Sequence, residues 1–366
     1  MRPVSVRIMH PEPGPEAGPI TRWVATRRVA LAERHREAFE NAGAAGAAIV
    51  AGPPDDRSFG ARLRALVRAE RPAGLVVLGS GAIPLATPAD LRAFVGAAGD
   101  ERRVALANNR YSADVIAVSH AEVLADLPDL PGDNALPRWL DEVAGHEVRD
   151  LRRRWRLAID VDGPLELLLL GDRAAPAGID LRPLEAKMAA LRHVAADRRA
   201  ELLVSGRTSP TTLAWLERAA VARVRAFVEE RGMRAASPLA QGSSPATGEP
   251  AMTSAPRQPA ALLGVLLERD GPGSIGEHLS RLADGAIVDS RVLLAHRLGA
   301  GEGAWPSAED RFASDLLLAD RVTDPWLRDL TRAAAASRIP VLLGGHSLVG
   351  PGVRLLLGRR RVRRWT

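Results

Sequence analysis

The chain has 366 residues, a formal charge of +6 at pH 7 and no cysteine. The missing cysteines exclude disulfides, thiolate metal sites and cysteine nucleophiles, so any chemistry rests on carboxylates, histidines, hydroxyls or arginines. The length allows two folded units. No apolar run approaches the roughly 18–20 residues needed to cross a bilayer, and Met1 to Pro11 lacks the apolar stretch of a secretory signal, so a cytoplasmic protein without a membrane span is expected.

The first expected strand is Val4 to Met9, followed by a Pro/Gly-rich loop from His10 to Pro19 and a helix from Thr26 to Ala42. Ala47 to Val50 reads as a second strand, Phe59 to Glu70 as a helix, and Ala73 to Gly79 as a buried strand. Thr87 as N-cap and Pro88 in the first turn predict a helix to Ala97, and Val104 to Ala107 and Asp114 to Ser119 are further strands. Leu136 to Gly145 is read as helical, Arg156 to Val161 as extended, and Leu165 to Leu170 as an apolar run. Leu181 to Ala200 and Pro210 to Arg231 are helix-patterned, the latter stopped by Gly232. This alternation predicts an α/β fold, a mostly parallel sheet flanked by helices.

From Ala236 to Pro259 large apolar residues are nearly absent, which predicts a linker. Beyond it, Ala286 to Leu294 is an expected strand. Ser307 with Asp310 forms a capping box, Asp324-Pro325 opens a helix, and Ile339 to Leu343 is a strand, giving a C-terminal α/β extension. The expected organisation is a domain over 1–200, a helical connection over 201–235, a linker over 236–260, and an α/β region over 261–366 with a basic tail. Arg354, Arg359, Arg360, Arg361, Arg363 and Arg364 supply six positive charges, leaving the rest of the chain formally neutral. Nucleic acid is therefore not expected as a partner, and the tail reads as a solvated end. The oligomeric state is not written in the sequence.

Four segments carry a pattern. Pro11-Glu-Pro-Gly14 followed by Ile20-Thr21-Arg22 is a glycine-bearing loop and basic element after the first strand. Leu75-Val-Val-Leu-Gly79-Ser80-Gly-Ala-Ile-Pro-Leu-Ala-Thr-Pro-Ala-Asp90-Leu91 is a strand and turn leading into a helix. Asn108-Asn109-Arg110-Tyr111 is a polar turn between strands. Asp160-Val-Asp162-Gly-Pro-Leu-Glu-Leu167 places two carboxylates on one side of an extended segment, where both can reach one cation.

In this order the segments resemble the glycosyltransferase-A-type nucleotidyltransferase superfamily, which includes 2-phospholactate and molybdenum-cofactor guanylyltransferases. The resemblance spans Val4 to Leu170, the N-terminal half, and implies a glycosyltransferase-A or Rossmann-like fold. It implies transfer of a nucleotidyl group from a nucleoside triphosphate to a small phosphorylated acceptor. Arg22 and Asp162 would be the catalytic residues. Gly14, Thr21, Arg22, Gly79 and Ser80 would face the nucleotide; Asn108, Asn109 and Arg110 would position the acceptor; Asp160 and Asp162 would hold magnesium. Two positions depart from the family pattern: Ile20 replaces its lysine, and Ser80, Gly81 or Ala82 stands where it has a metal-binding aspartate. The alternative is a catalytically degenerate protein of the same fold that binds or assembles without turnover.

Outside the resemblance, Leu343-Gly-Gly-His346-Ser-Leu-Val-Gly-Pro-Gly352 is the most site-like piece, because clustered N–H groups after a strand can cradle an anion and His346 can exchange a proton. Asp289, Arg291 and His296 lie along one expected strand. Glu309, Asp310 and Arg311 beside Trp305 read as a solvated, capped helix. Dinucleotide, Walker and zinc-protease motifs are absent.

Overall fold

The computed structural model describes residues 2–53, 55, 57–130, 132–172, 174–230 and 259–358. The expected linker lies almost wholly outside these residues, as do Gly232 and the arginines from Arg359 onward. The described chain divides into two compact units, one of residues 2–15 and 25–160, the other of 16–24, 161–230 and 259–358.

The first unit carries β1 (Val4–Pro11), most of α1 (Pro19–Asn41), β2 (Gly46–Gly52), α2 (Phe59–Glu70), β3 (Gly74–Gly79), α3 (Pro88–Ala98), β4 (Val104–Ala107), β5 (Val115–Ser119), α4 (Leu136–Glu142) and β6 (Glu147–Asp150). Its six-stranded sheet has the order β2-β1-β3-β5-β4-β6, parallel except that β5 runs against both neighbours. Alternation along β3 sends Val76 and Leu78 to a core with Ile8, Phe39 and Phe94. Leu75 and Val77 go to a second core with Leu63, Ile116 and Trp139. Helices cover both faces, which is why β3 reads as one apolar run.

The second unit takes the start of α1 and continues with α5 (Pro164–Leu169), α6 (Arg182–Ala196), β7 (Glu201–Gly206), α7 (Pro210–Ala219), β8 (Arg223–Val228), α8 (Leu262–Asp270), α9 (Ile275–Ser280), β9 (Gly285–Asp289), α10 (Ser290–Leu298), α11 (Ala308–Asp315), α12 (Pro325–Ala336), β10 (Val341–Gly344) and α13 (Val353–Leu357). Its four strands are all parallel, in the order β10-β9-β7-β8. Both units are thus Rossmann-like α/β arrangements. No helix among the described residues is long and apolar enough to cross a membrane.

Several expected elements differ. The helix predicted over Pro210 to Arg231 ends at Ala219, and Arg223–Val228 pairs with β7 as an edge strand. Within the expected helical connection over 201–235, the described residues 201–230 carry a strand, a helix and a strand, with Leu202, Leu203 and Val204 fully buried in the first. The strand expected over Ala286 to Leu294 stops at Asp289, whose carboxylate accepts from the Arg291 amide and caps α10. The apolar run Leu165 to Leu170 lies mostly in α5, started by Pro164 in its first turn. Arg156 to Ala158 is a tight 3-10 turn, and only from Ile159 is the backbone extended. The expected first domain, 1–200, runs past the first unit because α6 packs on β7, β9 and β10.

Candidate functional site

In an open α/β sheet, ligands bind outside the carboxyl ends of the strands where the strand order reverses. In the first sheet the chain moves from β1 to β2 on one side and returns to β3 on the other, so the reversal lies between β1 and β3. His10, near the end of β1, and Ser80, just after β3, meet there, with His10 Nδ1 2.9 Å from Ser80 Oγ. Both are buried. Burial and the nearby Arg28 hold the His10 imidazolium below its usual pKa, so the ring is neutral at pH 7. Ser80 is thus held by an uncharged hydrogen bond.

The other predicted residues of this unit are engaged locally. The Asn108 amide nitrogen donates to Asp114 and to the Leu157 carbonyl, and its oxygen accepts from the amides of Asp114 and Val115. Those four bonds fill its side chain. Asn109 accepts from the Tyr111 amide, and Arg110 pairs with Asp141 at 2.5 Å, so the turn's polar groups do not converge. Gly79 ends β3, and nothing approaches within 4 Å of where a Cβ would stand at Gly14. Asp160 forms a short antiparallel bridge with Ala82. Asp90 completes the capping box with Thr87 and also accepts from Arg154 and Arg156.

The start of α1 belongs to the second unit. The Glu309 carboxylate there accepts from the amides of Ile20 and Thr21, at 3.1 and 2.8 Å, and from the Thr21 hydroxyl at 2.8 Å. These are the N–H groups a loop-and-helix anion site would offer. Gly18 lets the carboxylate in, since a Cβ there would stand 2.3 Å from its carbon. Arg22 donates to the Ala17 carbonyl, turned back on the loop. The capped helix expected at Glu309 to Arg311 is not simply solvated. Asp310 is buried, accepting from Thr323 and the Asp324 amide, while Arg311 stacks over Trp305.

The second sheet concentrates charge. Its strand order reverses between β7 and β9, and there the residue after β7 ion-pairs with the last residue of β9: Arg207 grips Asp289 with Nε and Nη2 at 2.6 and 3.0 Å. Asp289 is fully buried, and although burial opposes its ionisation, Arg207 keeps its carboxyl below the usual range. Gly206, with φ of +132°, makes this approach possible; a Cβ there would lie 2.2 Å from that of Asp289. Two residues on, Arg291 reaches both oxygens of buried Asp315 at 2.5 and 2.6 Å.

Beside these pairs stands Glu166 of α5, only 3% exposed, whose Oε1 has no hydrogen-bond partner. Burial, then the charges of Asp315 and Asp162, push its carboxyl up to about 7. Asp162 meets His346 of the loop after β10, Oδ2 to Nδ1 at 3.2 Å, and these two side chains are the exposed members, at 44% and 29%. His296 is not part of this group: its Nδ1 accepts from the Ala261 amide and its Nε2 faces Glu268.

Sequence reasoning named Asp162, Asp289, Arg291 and His346 but not Glu166, Arg207 or Asp315. The Gly-Arg-Thr-Ser-Pro end of β7 was the available signal for Arg207. No set of three or more His, Asp or Glu side chains among the described residues could hold a metal ion. Among the described residues Asp160 is the last of the first unit, and Asp162 belongs to the second. No known family model matches the chain, and no curated protein is similar to it.

Proposed function

We propose that this chain is a catalytically degenerate nucleotidyltransferase-like protein of the cytoplasm. It uses the fold to bind a nucleotide or small phosphorylated ligand rather than to transfer a nucleotidyl group through magnesium. One observation carries the reading: the groups that the resemblance assigns to triphosphate, metal and acceptor are bonded to the protein's own side chains. The Ile20 and Thr21 amides hold Glu309, Ser80 holds His10, Asn108 holds Asp114, and Asp162 faces His346. Each bond would have to break before a ligand took its place, which disfavours a site built for repeated turnover.

A second reading keeps the enzyme, and Asp162 favours it. A carboxylate beside an imidazole orients the ring and steadies its charged form, the arrangement by which histidine serves as a general acid or base. Transfer from a nucleoside triphosphate to a phosphorylated acceptor would then use His346 for the proton.

Thermal shift decides between them, since a ligand that binds only the folded state raises its melting temperature. The degenerate protein is expected to shift with a nucleoside triphosphate or phosphorylated metabolite to the same extent with and without Mg²⁺, releasing no pyrophosphate. A Mg²⁺-dependent shift lost in Asp162→Ala, with pyrophosphate released, would establish the enzyme instead. Absence of any shift across the panel would sink nucleotide binding altogether.

A further inference from the structure

We propose that the outer edge of β8 is the surface through which two copies of this chain join, strand to strand and antiparallel, into one continuous sheet. The inference does not rest on the proposed function and concerns the second unit alone. Backbone direction, side-chain alternation and charge along one strand carry it.

β8 pairs with β7 on one side and, among the described residues, with no strand on the other. The amides of Arg223 and Glu229 donate to the Ala200 and Gly206 carbonyls on the β7 side. Every second residue of a parallel ladder faces the same neighbour, so Val224, Ala226 and Val228 turn their N–H and C=O groups outward. Such a row is a template for a further strand, and proteins commonly blunt it with proline, a bulge or charge. No proline interrupts β8, and alternation sends both of its arginines to one face. On the other face, Ala222, Val224 and Ala226 line an open groove with Leu213, Leu216 and Glu217 of α7. Val228 is 58% exposed, the most of any large apolar side chain among the described residues. Val221 and Leu262, whose amide donates to Glu229, are also exposed at this edge.

A second copy fits because the strand is complementary to itself, basic at its start and acidic just past its end. A two-fold axis normal to the sheet sets the copies antiparallel, with opposite residues on one face. With the axis at Ala226, Arg223 lies opposite the second copy's Glu229, and Val224 lies opposite its Val228, over the groove. The outward N–H and C=O of Ala226 then bond to their own counterparts. Moved to Arg225, the axis would set that guanidinium against itself, a like-charge pair. Moved to Phe227, it would give Glu229 to Arg225, which Glu201 already holds at 2.8 Å. Arg223 makes no ion pair among the described residues, so the Ala226 register is the one that matches it.

Sedimentation equilibrium of the full chain tests the interface. The expected result is a monomer–dimer equilibrium at micromolar concentration. Val228→Glu, at an exposed position, sets a carboxylate over the apolar groove and should weaken association about tenfold or more, with the melting temperature of the dilute chain unchanged. Arg223→Glu and Glu229→Arg should each abolish self-association, because like charges then meet at both ends of the pairing. Mixing the two should restore a one-to-one dimer, since each charge again meets its opposite. The chain has no cysteine, so Ala226→Cys reads the register without weakening the interface. On the axis the two Cα atoms stand about 5.5 Å apart, within disulfide reach, and mild oxidation should link the copies while Val221→Cys stays unlinked. Three results would each overturn the proposal: a monomer even at high micromolar concentration, which leaves the edge to a partner of another kind; a dimer that survives Val228→Glu; or folded charge variants whose mixture does not associate.

Discussion

Glu166 is a carboxylic acid enclosed with carboxylates. Its ordinary value is 4.5 and its folded value about 7. A carboxyl whose folded pKa is raised is less favourable to fold once the unfolded chain ionises. The contribution of Glu166 to stability is therefore greatest below about 4.5, declines as pH rises towards 7, and levels above it. The interval corresponds to about 3 kcal/mol, as an upper bound for a group whose surroundings can relax. Burial also raises Asp315, with the same sign, whereas depressed Asp289 acts only at lower pH. Glu166→Gln should melt above the unsubstituted chain at pH 8, with the difference shrinking towards pH 5, read by calorimetric melting at both pH values. Equal melting temperatures at pH 8 would show that the carboxyl is not held in the buried, anionic setting described.

Elements built on local chemistry were legible, and those built on distant partners were not. Phe59–Glu70 and Pro88–Ala98 show their limits in the sequence, the first by helical spacing and the second because Thr87, Pro88 and Asp90 form an N-terminus whose bonds lie within four residues. Glu309 shows the opposite case. Its position in the first turn of α11 is local, but its partners, the Ile20 and Thr21 amides, lie more than 280 residues away in sequence, and no spacing rule couples them. For the same reason the amides expected to face a phosphate could not be seen to hold a carboxylate. Replacing Glu309 by Ala should leave those amides without a charged acceptor and cost about 1–2 kcal/mol, as loss of a helix N-terminal cap does. Urea denaturation measures it, and Glu309→Gln should recover part of the loss because its amide oxygen still accepts. No change in Glu309→Ala would mean that water satisfies the amides equally well.

At the scale of the molecule, alternation announced an α/β protein, but the grouping of its elements was hidden. The reason is that β7, β9 and β10 assemble from segments far apart in sequence, and α6 serves their sheet rather than the one before it. The first turns of α1 are assigned to the second unit although the strands on either side, β1 and β2, belong to the first. This division makes a prediction about cooperativity, because proteins open in contiguous units that share a free energy. Gly206→Val forces a branched side chain onto a φ of +132° and into Asp289, where a Cβ would already stand 2.2 Å from its counterpart. It should destabilise the second unit by about 3 kcal/mol or more, in the range of strained backbone plus overpacking. In hydrogen exchange on the full chain, amides of Gly285–Asp289 and Val341–Gly344 should then lose protection together with Ile20 and Thr21, while Val4–Ile8 and Leu75–Leu78 keep theirs. If Ile20 and Thr21 instead retain protection with β1, the start of α1 opens with the first unit, and its bonds to Glu309 are a contact that α1 can lose without unfolding.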